Sequence, residues 1–190
     1  IINLRYLLYQ IYQIKNGGNI MLEKNVSDLL VKQVNKELYS AYLYLDISNY
    51  FISKNLNGFG NWFAVQVQEE LAHAQLFMTY LLNNSEQVKL EGISGPDGEY
   101  TDFLQPLEAS LEHEKFITAS IYEVYEAAQN AKDFRTIQFL DWFVKEQGEE
   151  EKNADELIEK YKLFGMDGKG LYMYDAELAT RVFTPPSLVL

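Results

Sequence analysis

Gln68-Glu69-Glu70-Leu71-Ala72-His73 is a charged stretch set in the middle of an apolar helical repeat. Around it Phe63, Val67, Ala74, Phe77 and Leu81 recur at the spacing of a helix with one buried face. A helix turns about 100° per residue, so Glu70 falls inside that apolar arc and His73 lies about 60° round the same face. A lone ionised carboxylate in a low-dielectric interior costs on the order of several kcal/mol unless it is paired, protonated or bound to a cation. What faces Glu70 from the rest of the chain therefore decides the fold.

Three further helical patterns answer that question. The first covers residues 26–53 and closes at Asn55-Leu56-Asn57-Gly58, a turn signal. The second, containing Glu70, covers residues 59–83. The third covers residues 102–130, with Pro106 tolerated in its first turn. The fourth covers residues 133–163 and stops at Gly165. A short fifth helix is expected over residues 171–180, and Pro185-Pro186 ends regular structure beyond it. In the first helix Glu37 sits among Leu30, Val34, Ala41, Tyr44 and Ser48, all within about 60° of it. In the third, Glu114 sits among Leu107, Leu111, Ile117, Thr118 and Ile121; in the fourth, Glu150 lies with Phe139, Trp142, Phe143, Leu157 and Tyr161.

Each helix thus carries one central acid on its apolar stripe. Taken singly these residues are ordinary: Glu-x-x-His is common on helices, and Glu149-Glu150-Glu151 reads as a solvated face. Their coincidence is not ordinary, because facing carboxylates repel one another and no lysine or arginine shares these arcs at the same level. Bound cations are the cheapest compensation. Oxygen-rich ligands with one imidazole suit Fe(II), Fe(III) and Mn(II), and less specifically Zn(II). Glu146, Glu149 and Glu150 share one arc with Gln147 at its edge, and Glu69 stands beside Glu70. These outer acids read equally as a third metal position or as solvent-facing charge. Tyr44 reads either as a partner of a ligand carboxylate or as a core tyrosine with a satisfied hydroxyl.

The connections set the topology. Short turns join helices one to two and three to four, so each pair is expected to be antiparallel. Between helices two and three lies a segment over residues 85–101 that contains Gly92 and Gly95-Pro96-Asp97-Gly98. Extended, it reaches roughly 55 Å, more than the ~38 Å of a 25-residue helix. It can therefore return along the whole bundle and leave helices two and three parallel. The expected fold is all-α: a four-helix bundle with one long crossover and a short C-terminal helix.

Composition agrees. The chain has 190 residues, 47% hydrophobic and 23% charged, which is enough apolar material for one domain with tails. Its net charge of −12 argues against a nucleic-acid surface and attracts cations. It has no cysteine, which excludes disulfides, thiolate zinc sites and iron–sulfur clusters within the chain and suits the cytoplasm. No apolar run approaches the ~20 residues of a membrane-spanning helix. Residues 1–20 are apolar without the charged start or cleavage site of a signal peptide. Gly17-Gly18 precede Met21 at the distance of a ribosome-binding sequence, since adjacent glycine codons can spell GGAGG. Residues 1–20 are therefore expected to be a translated leader, the alternative being an apolar arm. Residues 21–180 form the metal-binding domain and 181–190 a tail.

At these residues the chain resembles the bacterial non-haem ferritins. The resemblance covers about residues 21–177. It rests on Asn35-Lys36-Glu37-Leu38-Tyr39-Ser40-Ala41-Tyr42-Leu43-Tyr44, Gln68-Glu69-Glu70-Leu71-Ala72-His73, Glu114, Glu146-Gln147-Gly148-Glu149-Glu150-Glu151-Lys152 and Gly170-Leu171-Tyr172. It implies a first iron position at Glu37, Glu70 and His73. It implies a second at Glu70, Glu114 and Glu150, with Glu70 bridging and Gln147 nearby. A third is implied at Glu69, Glu146, Glu149 and Glu150, and Tyr44 matches the family's tyrosine beside the pair. The implied activity is oxidation of Fe(II) by dioxygen or hydrogen peroxide and storage of ferric oxo-hydroxide in a 24-subunit shell. Bacterioferritin would have histidine at Asn153 and a haem-ligating methionine at Leu71, so no haem is expected. Rubrerythrin-like peroxidases carry two Glu-x-x-His motifs and usually a cysteine-rich site, and this chain lacks both features. A metal-free structural bundle is the alternative outside enzymes. The leader expectation is checked by intact mass of protein from its native source: a start at Met21 is expected, and a start at Ile1 or earlier would overturn it.

Overall fold

Each long apolar repeat becomes one unbroken helix. The computed structural model describes residues 22–190, so the leader expectation lies outside the described residues. The helices are α1 Lys24–Ser53, α2 Asn57–Asn83, α3 Gln105–Ala131, α4 Phe134–Phe164 and α5 Gly168–Leu178, with no strand among the described residues. Their ends follow local side-chain chemistry. Asp133 caps α4 by accepting from the Thr136 amide, and Asp167 caps α5 by accepting from the Lys169 and Gly170 amides. The Asp167 cap explains why the fifth helix begins at Gly168, three residues before the expected start. The third helix begins at Gln105 rather than 102, because Asp102 Oδ1 accepts from the amides of Leu104 and Gln105 (both 2.9 Å) and closes a turn ahead of the helix. Lys132, at φ 56°, takes the left-handed conformation that ends α3.

Contacts across the bundle give the directions. Ser48 Oγ donates to the Gly60 carbonyl (2.8 Å) near the joined ends of α1 and α2, and Ser27 Oγ reaches Glu86 (2.7 Å) at the far end. Gln33 pairs with Ser120 and Ser40 with His113, which makes α1 and α3 antiparallel. Gln66 pairs with Glu150 and Tyr80 with Thr136, which makes α2 and α4 antiparallel. Helices α2 and α3 are therefore parallel, and the segment between them climbs back along α1. Its path is pinned at two heights. Asn35 donates to the Lys89 carbonyl (3.0 Å) and accepts from the Glu91 amide (2.8 Å). Tyr50 donates to the Asp102 carbonyl (3.0 Å).

Two apolar clusters fill the bundle. One joins Val26, Leu30, Val34, Phe77, Leu81, Ile117, Ile121, Phe139 and Phe143. The other joins Ile47, Phe51, Phe59, Phe63, Leu107, Leu157, Tyr161 and Tyr174. On each of the four long helices the central glutamate falls between the two. Full burial of such side chains stabilises by about 1.5–3 kcal/mol each, so the polar belt is clamped from both sides. The backbones of α1 and α2 pack closely, as do those of α3 and α4; α2 and α4 meet mainly through side chains such as Phe77 stacked on Phe143.

Helix α5 completes the end where α2 begins. Leu56 offers α2 no side-chain cap, and Asp175 of α5 replaces it, accepting from the amides of Gly58 (2.8 Å) and Phe59 (2.9 Å). A Cβ at Gly58 would lie 1.6 Å from the Asp175 carbonyl oxygen, so only glycine allows this approach. Asp175→Ala is expected to lower unfolding stability by about 1–2 kcal/mol, the range for a lost helix cap. Chemical denaturation checks this; an unchanged midpoint would show that α2 needs no cap from α5.

Candidate metal centre

The centre draws one or two side chains from each long helix: Glu37 and Tyr44 from α1, Glu70 and His73 from α2, Glu114 from α3, and Gln147 and Glu150 from α4. The central positions that place these groups on apolar stripes also bury them. Glu37 is 1% exposed, Glu70, His73 and Glu114 2%, and Glu150 5%, so bulk water cannot compensate their charge. Ligand atoms of Glu37, Glu70 and His73 all lie within 4.8 Å of one another, and so do those of His73, Glu146 and Glu150. The imidazole stands between the two groups. Its Nδ1 is 3.6 Å from Glu70 Oε2, and its Nε2 is 3.9 Å from Glu146 Oε1.

Amides and hydroxyls hold the carboxylates from behind. The Tyr44 hydroxyl donates to Glu114 Oε1, and Gln147 Nε2 donates to Glu114 Oε2 (3.1 Å). Gln33 Nε2 donates to Glu37 Oε1 (2.8 Å), and Ser120 Oγ donates to Gln33 Oε1 (2.5 Å). Gln66 Nε2 donates to Glu150 Oε2 (3.0 Å). One carboxylate oxygen is left over: Glu37 Oε2 is buried without a hydrogen-bond partner, as is Gln66 Oε1. Among the described residues, no lysine or arginine forms an ion pair with Glu37, Glu70, Glu114 or Glu150.

The electrostatics follow from burial and like charge. Burial pushes the Glu70 carboxyl well above the usual range, and the charges of Glu114, Glu37 and Glu150 push it further. Glu114 rises to about 8, first by burial and then by Glu150, with the Tyr44 and Gln147 hydrogen bonds pulling partly back. The Tyr44 hydroxyl is raised well above its ordinary value by burial and by Glu114 and Glu70. Carboxylates facing one another with an orphaned oxygen and an adjacent imidazole fit hard or borderline cations.

The outer acids divide. Glu146 is part of the grouping with His73 and Glu150. Glu149 is exposed. Glu69 is half-buried, and Arg181 Nη2 stands 2.7 Å from its Oε2. Burial raises the Glu69 carboxyl to about 7 against the pull of Arg181. Tyr44, left open between two roles by its spacing, does hydrogen-bond a carboxylate of the cluster.

Gln33, Gln66, Ser120 and Arg181 were not legible as parts of the site. Gln33 and Gln66 each precede a core glutamate by one helical turn, which is a weak signal, and Gln66 in fact serves Glu150 on another helix. Arg181 has no signal at all, since it arrives from the tail. His113 is set against Ser40 Oγ (2.8 Å) and the Tyr39 and Tyr44 rings, and burial lowers it to about 4, which keeps it neutral at neutral pH.

An antiparallel bundle with one long crossover and inward glutamates round an imidazole defines the ferritin-like class of proteins. Comparison with known proteins agrees. The family model described as ferritin-like domain matches residues 27–164. The bacterial non-heme ferritin of Campylobacter jejuni is 39% identical over 155 residues, covering 82% of this chain and 93% of its own length. That of Staphylococcus aureus (strain MRSA252) is 34% identical over 163 residues, covering 86% and 98%. Among solved structures, an engineered closed form of the Archaeoglobus fulgidus ferritin superposes with TM-score 0.83 at 42% identity, covering 86% of this chain and 99% of its own. The chain belongs to the ferritin family, whose members store iron, and it is similar to the bacterial non-haem branch.

The raised carboxyls predict a pH dependence. Glu114 moves from the ordinary carboxylate range in the unfolded chain to about 8 in the metal-free fold. Its contribution to stability is present in full below the unfolded value and is lost as pH rises through the folded one. The metal-free protein should therefore lose thermal stability between about pH 5 and 8, lose less of it as Glu114→Gln, and recover on adding Zn²⁺. Calorimetry across that interval checks this, and a metal-free Tm that climbs with pH would contradict it.

Proposed function

We propose that this chain oxidises ferrous iron at the buried carboxylate cluster and stores the ferric product inside a hollow shell of 24 like subunits. The observation that carries this is the cluster itself: buried glutamates from all four long helices round His73, with Glu37 Oε2 left unpartnered. The first ferrous ion is held by Glu37, Glu70 and His73, and the second by Glu70, Glu114 and Glu150, with Glu70 shared. Gln147 and Tyr44 fix the orientation of Glu114.

The chemistry follows from the ligands. Hard anionic oxygens favour the higher charge, so they lower the energy of Fe(III) relative to Fe(II). Two adjacent ferrous ions each give one electron to one dioxygen, which takes up two protons and leaves as hydrogen peroxide; peroxide itself can accept the next pair. His73 supplies a neutral ligand, which limits the negative charge of the site before iron arrives. Glu69, Glu146, Glu149 and Glu150 form the outer, third iron position. The net charge of −12 draws cations towards the protein, an effect that weakens with salt.

Exposed Tyr42, Leu45, Phe116, Tyr122 and Tyr172 on outer helix faces support self-assembly. No helix among the described residues is long and apolar enough to cross a membrane, in keeping with a place in the cytoplasm. The open-pore ferritin of Archaeoglobus fulgidus, at 41% identity and TM-score 0.83, supports the self-assembly reading.

The test is the double variant Glu70→Ala/His73→Ala. Ferrous oxidation, followed by the absorbance of ferric-oxo species after anaerobic loading and exposure to air, should slow by at least about tenfold. Native mass and electron microscopy should still show the intact particle. Full-speed oxidation in this variant would place the chemistry elsewhere, and a wild-type particle without a hollow interior would remove storage from the proposal.

A further inference from the structure

Residues 179–190 have no helix or strand, yet their contacts define a path. Asn61 Nδ2 donates to the carbonyls of Leu178 (3.2 Å) and Arg181 (3.0 Å) at the start of α2. Thr180 and Arg181 line a cavity of about 280 Å³ together with Trp62 of α2 and Asn153 and Glu156 of α4. Further along, Trp142 Nε1 of α4 donates to Ser187 Oγ (3.1 Å), and Leu188 packs on the apolar cluster that includes Phe139 and Phe143. Pro185-Pro186, with fixed φ and no amide donors, stiffens the stretch between.

The segment is therefore a strap that starts on α2 and finishes on α4. It enters at the height of Asn61 and leaves at the height of His73, whose ring centroid is 5.7 Å from that of Trp142. Because α2 and α4 are antiparallel, Glu69, Glu146 and Glu149 all lie in the interval the strap crosses. One of its side chains is a cation. Arg181 Nη2 donates to Glu69 Oε2 (2.7 Å), Nη1 donates to the Trp62 carbonyl (3.1 Å), and the guanidinium lies 4.3 Å from the Trp62 ring centroid. Its side chain is 21% exposed and that of Glu69 18%, so this is a held pair and not a free surface contact.

We propose that Arg181 is a tethered cation that occupies the outer carboxylate position and competes there with a metal ion. The proposal rests on the metal-binding reading of the outer acids given above. A guanidinium on Glu69 takes one oxygen of that carboxylate and repels a second cation a few Å away. Since it is part of the chain, its local concentration is in the millimolar range or above. A metal ion reaches full coordination by Glu69 only when Arg181 swings out. The strap therefore sets how many cations the centre holds at a given free concentration.

The test is anaerobic calorimetric titration of Fe(II), and separately of Zn²⁺, into the assembled wild type and three variants. Arg181→Ala is expected to bind the weakest ion at least about tenfold more tightly, with the tighter inner ions still bound. Arg181→Gln, which keeps the stem on Trp62, should do the same, while Arg181→Lys, which keeps the charge, should stay near wild type. Intrinsic fluorescence is a second readout, because the protein has only two tryptophans and the strap touches both. Filling the outer position should shift the emission of Trp62 in wild type and leave it unshifted in Arg181→Ala. A weakest-ion affinity that is unchanged or lower in both Arg181→Ala and Arg181→Gln, with inner ions still bound, overturns the competition alone. Absence of any bound ion in wild type overturns the metal centre as well.

Discussion

Four like charges in a dry core are the constraint to which the rest of this structure answers. Glu37, Glu70, Glu114 and Glu150 are each more than nine-tenths buried, and among the described residues none of them has a lysine or arginine partner. Burial and the neighbouring carboxylates raise the carboxyls of Glu70 and Glu114, which favours their protonated forms. Cations remove the same repulsion without protons and leave the carboxylates ionised. The cluster is thus electrostatically unfavourable when empty, and a cation among its oxygens would relieve it.

The fold makes that arrangement affordable. Aromatic and aliphatic clusters lie on both sides of the polar belt, so each helix is anchored above and below its glutamate. Amides from Gln33, Gln66 and Gln147 satisfy one oxygen of three of the acids, which fixes their orientation while keeping other oxygens available. Neutral donors suit this role. A lysine or arginine in the same place would cancel the negative charge that suits the cluster to a cation.

Towards the groove between α2 and α4 the balance changes. There the acids are half-buried or exposed, and one of them, Glu69, already has a cation of the chain's own. Inner and outer acids thus differ in kind: among the described residues the inner set has no internal counter-charge, and the outer set has one in Arg181. The same tail that supplies Arg181 binds both tryptophans, so the C-terminal residues are part of the α2–α4 face.

The helices, their antiparallel pairing, the crossover and the inward glutamates with His73 were legible in the amino-acid order, because a helical period of 3.6 residues converts spacing into facing and a loop's length limits where it can go. Helix ends were read less well, at Gln105 and Gly168, because Asp102 and Asp167 cap through side chains whose rotamers the period does not encode. The sequence by itself determined which residues face inward. Only the tertiary structure decided which groups meet there: that Gln66 serves Glu150, that Tyr44 holds Glu114, that Asp175 caps α2, and that Arg181 reaches Glu69 across 112 positions of chain. Those pairings depend on the relative height of helices and the path of a tail, and no local pattern carries that information.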